Sequence, residues 1–187
     1  DLQVEISGDK SQLNLKDILE FADTVNLEDV RELLETQISY NTAIAEEGLN
    51  NFWGASVGRT ILDAEPGSTL QRARAAAAAG SDARMNGCAL PVVINSGSGN
   101  QGITCCMPIV VYARDLGCSH EQLLRALTLS NLISLHQKRF IGNLSADCGA
   151  VSAGTAAACG IAYLQGADYD VIGTTIVNAV GTTGGII

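Results

Sequence analysis

Residues 95–102, reading Asn-Ser-Gly-Ser-Gly-Asn-Gln-Gly, carry the densest chemistry in this chain. Asn95, Ser96, Ser98, Asn100 and Gln101 alternate amides and hydroxyls with Gly97, Gly99 and Gly102. Glycine lets a backbone take positive φ and come closer to a ligand than any Cβ would allow. The loop follows a short apolar, strand-like run (Leu90–Ile94) and opens into a helix-compatible segment reaching about Leu116. A turn that ends at a helix N-terminus aims several unpaired N–H groups at one point, which suits a carboxylate or a phosphate. One reading is a tight turn whose polar side chains cap the helix from Gln101 onward. The other is an anion site whose neutral donors orient a small ligand such as an amino-acid carboxylate. A loop this rich in polar groups favours binding.

Gly97-x-Gly99-x-x-Gly102 also spells the dinucleotide fingerprint. That fingerprint works inside a βαβ unit with an acidic residue after the second strand. Here the helix after the loop is followed at once by a second capped helix from Ser119, and no β-run appears before residue 140. A dinucleotide site is therefore the weaker alternative. A Walker loop is excluded because no Gly-Lys-Ser or Gly-Lys-Thr occurs.

Other residues are candidates on looser grounds. Ser81, Asp82, Arg84 and Asn86 gather polar groups at the end of an alanine-rich helix, just before Gly87, where a C-terminal cap is the competing explanation. His136 and Lys138 stand near another helix end, either as catalytic groups or as cations complementing the dipole. Glu46 and Glu47 read as a solvated face, with a paired-carboxylate role as the minor alternative, and Arg72 and Arg74 read as solvated. Six cysteines (Cys88, Cys105, Cys106, Cys118, Cys148, Cys159) are scattered without a signal-peptide pattern before them. Such cysteines are usually buried thiols, with metal or redox chemistry as the other reading.

The elements that must position these groups are helical. Asn14 with Asp17 opens a helix to about Thr24, and Asn26 caps another through about Leu49. Trp53–Ala64 is a short glycine-punctuated piece. Pro66 stands where a new helix can start, and Leu70–Arg84 is strongly helical. Ser119 and Gln122 form a capping box for a helix to about Lys138. Ser145 caps a helix from Ala146 to Leu164, ended by Gly166 and lined with Gly149, Ala150, Ala153, Gly154, Ala157, Ala158 and Gly160. Such small residues admit a close neighbour, so this helix is expected at the bundle centre. Asp168 caps a last helix to about Ala179. The predicted fold is mainly α: a multi-helix bundle with a central small-residue helix and a Gly-rich loop at a helix N-terminus. The loop is expected near the bundle centre, facing the start of the 146–164 helix. Residues 1–187 read as a single helical domain, with 1–10 resembling the end of a preceding β element.

Composition agrees. Hydrophobic residues make up 47% of the 187 and aromatics only 4%, so the core is built from small aliphatic side chains. A net charge of −9 without a basic cluster argues against nucleic acid. The uncharged stretches Cys88–Ala113 and Gly149–Gln165 are too weakly apolar to span a membrane. A cytoplasmic protein is expected. Both ends read as cut, which predicts a fragment of a longer catalytic protein.

Ala79-Gly80-Ser81-Asp82-Ala83-Arg84-Met85-Asn86-Gly87, Ser96-Gly97-Ser98-Gly99-Asn100-Gln101-Gly102, Ser145-Ala146-Asp147-Cys148-Gly149 and Leu15-Lys16-Asp17-Ile18-Leu19-Glu20-Phe21-Ala22 together resemble one family. It is the iron–sulfur L-cysteine desulfidase group, related to the α component of bacterial iron–sulfur L-serine dehydratases. The resemblance implies a lyase that carries a [4Fe–4S] cluster on three cysteines, with one iron open to the substrate. It implies α,β-elimination from L-cysteine or L-serine, giving pyruvate, ammonia and sulfide or water. Cys148 matches the first cluster cysteine, and residues 96–101 match the loop resembling a substrate-carboxylate site. Asp82, Arg84, Asn86 and Lys138 lie in matching segments without a defined role. The family's Cys-Thr-Glu-Pro segment has no counterpart here, and its remaining cluster cysteines would begin immediately after Ile187. Cys105, Cys106 and Cys159 fall outside the family's ligand spacing and read as core thiols. The fragment alone is therefore expected to bind no cluster and to be inactive. The alternative is a non-catalytic amino-acid-binding or regulatory module. Cysteine and serine stay equally open as substrates. The small-residue helix can pack internally or across a homodimer.

Overall fold

Local capping chemistry sets most helix starts. The computed structural model describes residues 10–141 and 149–183. After a 3-10 turn at Lys10–Gln12, the Asn14 side chain accepts a hydrogen bond from the Asp17 N–H (3.0 Å) and opens α1, Leu15–Thr24. Asn26 does the same at the Glu28 N–H (3.3 Å) for α2, Glu28–Asn50. The glycine-punctuated piece contains α3, Val57–Ala64. Ser68 rather than Pro66 caps α4, Thr69–Met85, because its hydroxyl reaches the Gln71 N–H (3.4 Å). The loop leads into α5, Gly99–Leu116, closed by Gly117 in the left-handed region. Ser119 and Gln122 cap each other reciprocally before α6, His120–Ile141. Then come α7, Gly149–Leu164, and α8, Tyr169–Thr183, capped by Asp168 at the Val171 N–H (3.0 Å). The β element expected within 1–10 and the helix start at Ser145–Ala146 fall largely or wholly outside the described residues.

Two expectations need correction. Leu90–Ile94 is not a strand: among the described residues there is none, and the sole bridge is Asn95 with Ser98. A strand needs a neighbour to satisfy its backbone, and here a side chain does that work. Asn41 accepts from the Val93 N–H (2.9 Å) and donates to the Val93 carbonyl (3.3 Å). Arg72 is not merely solvated. It pairs with Asp115, which also accepts from the Thr69 hydroxyl (2.6 Å), tying the start of α4 to the end of α5. Thr69 first and then Arg72 hold the Asp115 carboxyl below its ordinary range.

The apolar interior forms two clusters. One gathers Leu34, Ile44, Ile103, Ile109, Leu124 and Leu127 from α2, α5 and α6, with Ala76 and Ala83 of α4. The other gathers Ile18, Cys105, Leu129, Ile133, Ala156, Cys159 and Ile172 from α1, α5, α6, α7 and α8. α5 and α6 contribute to both, so this antiparallel hairpin is the wall between them. α5 touches α2, α4, α6 and α7, while α7 packs against α5, α6 and α8. Small residues make these approaches possible. A Cβ on Gly160 of α7 would sit 2.3 Å from Ile109 Cδ1 and 3.2 Å from the Ala126 carbonyl. Among the described residues, no helix is long and apolar enough to cross a membrane.

Among the described residues, the closest approach between two helix backbones joins α2 to α4. A Cβ on Gly48 would lie 2.1 Å from the Ala79 carbonyl oxygen, and rigid backbone cannot yield as a side-chain tip can. Gly48→Ala is expected to destabilise the fold by about 3 kcal/mol, the upper range for overpacking. Urea unfolding measures this; an unchanged midpoint would show that the α2–α4 crossing is looser than described.

Candidate functional site

The loop begins with a turn closed on itself. The Asn95 N–H donates to the Ser98 carbonyl (3.1 Å), and the Ser98 N–H donates back to Asn95 (3.0 Å). Between them Ser96 and Gly97 have φ of 51° and 81°, the paired positive values of a tight two-residue hairpin turn. Gly97 adopts this freely. Ser96 is held there against its Cβ, with its hydroxyl on Asn95 Oδ1 (2.8 Å). Gly99 and Gly102 serve approach rather than positive φ. A Cβ on Gly102 would lie 2.0 Å from the Val93 carbonyl, and one on Gly99 would lie 2.2 Å from Arg84 Nε.

Amides from two helices, buried on α2 and half-buried on α6, pin this turn. Gln37 and Asn131 exchange hydrogen bonds side chain to side chain (3.1 and 2.8 Å), and Asn131 Oδ1 also accepts from Asn95 Nδ2 (2.9 Å). Asn41 adds a bond to the Gly102 carbonyl (3.1 Å) beside its two to Val93. Gln37 and Asn41 are 1% and 0% exposed, so every amide position here must be satisfied internally. Sequence reasoning passed over Gln37, Asn41 and Asn131. Their signal was present: Gln37 and Asn41 occupy the buried stripe of α2 between Leu34 and Ile44, where an unpaired amide would be costly.

The first turn of α5 is the chemically unfinished part. Ser98 caps it at the Gln101 N–H (3.4 Å), and the N–H groups of Gly99 and Asn100 find no acceptor among the described residues. Arg84 reaches over from the end of α4, lying against Gly99 and donating to Asn100 Oδ1 (3.1 Å). Gln101 Oε1, Ser134 Oγ and Gln137 Nε2 are buried without a hydrogen-bond partner. Their register brings them to one end. The Ser130 hydroxyl bonds the Cys105 carbonyl (2.8 Å) across antiparallel α5 and α6, and Ser134 and Gln137 follow Ser130 on the same side of α6, toward the end of the hairpin where α5 starts. Gln101 also abuts Gly149 of α7, where a Cβ would sit 2.1 Å from Gln101 Nε2. The start of α5 thus faces the start of α7. It combines a positive helix end, a guanidinium and orphaned polar atoms, a set suited to a small anion with a donor group attached.

The loop residues Asn95, Ser96, Gly97, Ser98, Gly99, Asn100, Gln101 and Gly102 come together with Arg84. Asp82 instead accepts from the Val57 N–H (2.7 Å) and caps α3. Asn86 donates back to the Asp82 carbonyl (2.8 Å) and packs on Gly54. Lys138 is half-buried, two turns along α6 from Asn131 and on the same side. Cys148 lies outside the described residues. Among those residues there is no group of three or more His, Cys, Asp or Glu side chains placed to hold a metal. Burial pushes the Cys105 and Cys159 thiols up to about 12 and Cys106 well above its usual range. At neutral pH these three thiols therefore stay protonated in the apolar interior. The described residues also lack the βαβ frame of a dinucleotide site.

The profile of the serine dehydratase alpha chain matches residues 2–187. A UPF0597 protein of Desulfitobacterium hafniense is 53% identical over 189 residues, covering 100% of this chain and 44% of the relative. One from Finegoldia magna is 53% identical over 176 residues, covering 94% and 42%. One from Treponema denticola is 47% identical over 184 residues, covering 96% and 43%. The chain thus spans less than half the length of these curated relatives. No solved structure matches it.

Two outcomes follow from this geometry. Asn131→Leu strands the Gln37 and Asn95 amides and is expected to cost about 3 kcal/mol, at about 1–3 kcal/mol per unsatisfied group. Adding Gln37→Leu should return part of that loss, and strictly additive losses in urea unfolding would contradict the network. Iodoacetamide at pH 8 should label half-buried Cys88 and Cys118 while sparing Cys105, Cys106 and Cys159 until unfolding, as peptide mass spectrometry would record.

Proposed function

We propose, because this chain belongs to the serine dehydratase alpha chain family, that the start of α5 holds the carboxylate of a small amino acid undergoing α,β-elimination in the whole protein. The observation that supports this most is the unfinished first turn of α5, with Arg84 laid over Gly99 and Gln101 Oε1 buried without a partner. The Gly99 and Asn100 N–H groups and the Arg84 guanidinium are donors for a carboxylate. Gln101 Oε1 is an acceptor for the substrate ammonium. An L-amino acid held at both groups has its Cα fixed, leaving rotation about Cα–Cβ to orient the leaving group.

In such a reaction a base takes the Cα proton, that electron pair forms the Cα–Cβ double bond, and the β substituent leaves with its own pair. Cysteine loses sulfide and serine loses water. The aminoacrylate then hydrolyses to pyruvate and ammonia. The described residues supply binding and orientation; Cys148 is assigned to any iron–sulfur cluster, and the base and the remaining ligands are assigned to parts of the protein outside this chain. The chain alone is accordingly assigned no turnover.

The test is made on the anaerobically prepared whole protein, assayed for pyruvate from L-cysteine and L-serine. Arg84→Gln should lower kcat/KM about 10- to 100-fold, the scale of one charge-assisted hydrogen bond. Iron–sulfide reconstitution of the 187-residue chain should give neither lasting broad absorbance nor pyruvate. Wild-type kinetics in Arg84→Gln would remove the anion site. Amino-acid binding without turnover by the whole protein would leave a binding module in place of an enzyme.

A further inference from the structure

An apolar groove of about 260 Å³ runs between α1, α2, α6 and the 93–96 segment. Its rim is Phe21, Leu33 and Ile94, which are 44%, 63% and 58% exposed, and Leu132 and Leu135 line it from α6. No charged side chain lines it, although 17% of the chain is charged. At its floor the Asn131 and Asn95 amides are already paired with each other and with Gln37. The groove therefore offers apolar surface and no unmet polar group, which suits aliphatic or aromatic side chains rather than a polar metabolite.

We infer that this groove seats an apolar segment from the part of the same polypeptide that lies outside these 187 residues. The matched relatives are more than twice as long as the chain, so such a protein has further polypeptide that could cover an apolar groove. The groove is continuous with the loop, since Asn95 and Ser96 belong to both. A segment seated there arrives beside the first turn of α5. The inference stands apart from the proposed reaction, since it concerns what covers the surface and not what is bound by Arg84.

The experiment places a benzophenone amino acid at position 33 of the whole protein, where the native Leu33 is exposed enough to tolerate it, and irradiates. The expected product is an internal crosslink, monomeric on a denaturing gel, whose mass-spectrometric partner peptide lies outside residues 1–187. The same probe at position 94 should find the same peptide. A crosslinked species of twice the mass would assign the groove to a second copy, and crosslinks confined to residues 1–187 at both positions would show it uncovered; either overturns the inference. Circular dichroism matching the unsubstituted protein establishes that both probe variants are folded.

Discussion

The architecture around the loop depends on one backbone contact. The chain at Val93–Asn95 runs against the first turn of α5 at a distance that only a residue without a Cβ at position 102 permits. That approach would strand the Val93 amide and carbonyl, so Asn41 reaches from α2 to bind both. With the entering segment fixed, the turn at Asn95–Ser98 can only project outward, and Asn131 then holds it from α6. Three helices converge on a short irregular piece because its polar backbone has no strand partner.

Helix positions were readable from the chain because their signals are local. Asn14, Asn26, Ser119 with Gln122, and Asp168 act within a few residues of themselves, and each was found at the expected end of its helix. Ser98 and the glycines marked the loop for the same reason. Leu90–Ile94 misled because β-branched, apolar residues describe a half-buried extended segment as well as a strand, and only the tertiary neighbour distinguishes them. Arg84 and Asp82 lie two residues apart on α4, yet one turns to Asn100 and the other to Val57; no periodicity encodes that division. Gln37, Asn41 and Asn131 were legible only as polar interruptions of apolar stripes. Their meaning required knowing that α2 and α6 face the same turn.

Charge is distributed with equal economy. The scaffold of the loop is neutral: amides and a hydroxyl that can be buried fully once paired. The formal charge at the loop, Arg84, stands at its mouth, half-buried and resting on Gly99. In a chain of net charge −9, that arrangement makes the first turn of α5 a local exception in electrostatic sign. Helix dipole and guanidinium reinforce each other there, and the acidic remainder of the surface offers an anion little competition.

The α5–α6 hairpin has a consequence for cooperativity. Because it walls both apolar clusters, neither cluster can open without exposing a face of the other, which couples their unfolding. The first turn of α5 sits at the end of that shared wall, where α4, α6 and α7 also meet it. A small ligand bound there would therefore stabilise both halves at once, so its binding energy registers as global rather than local resistance to unfolding.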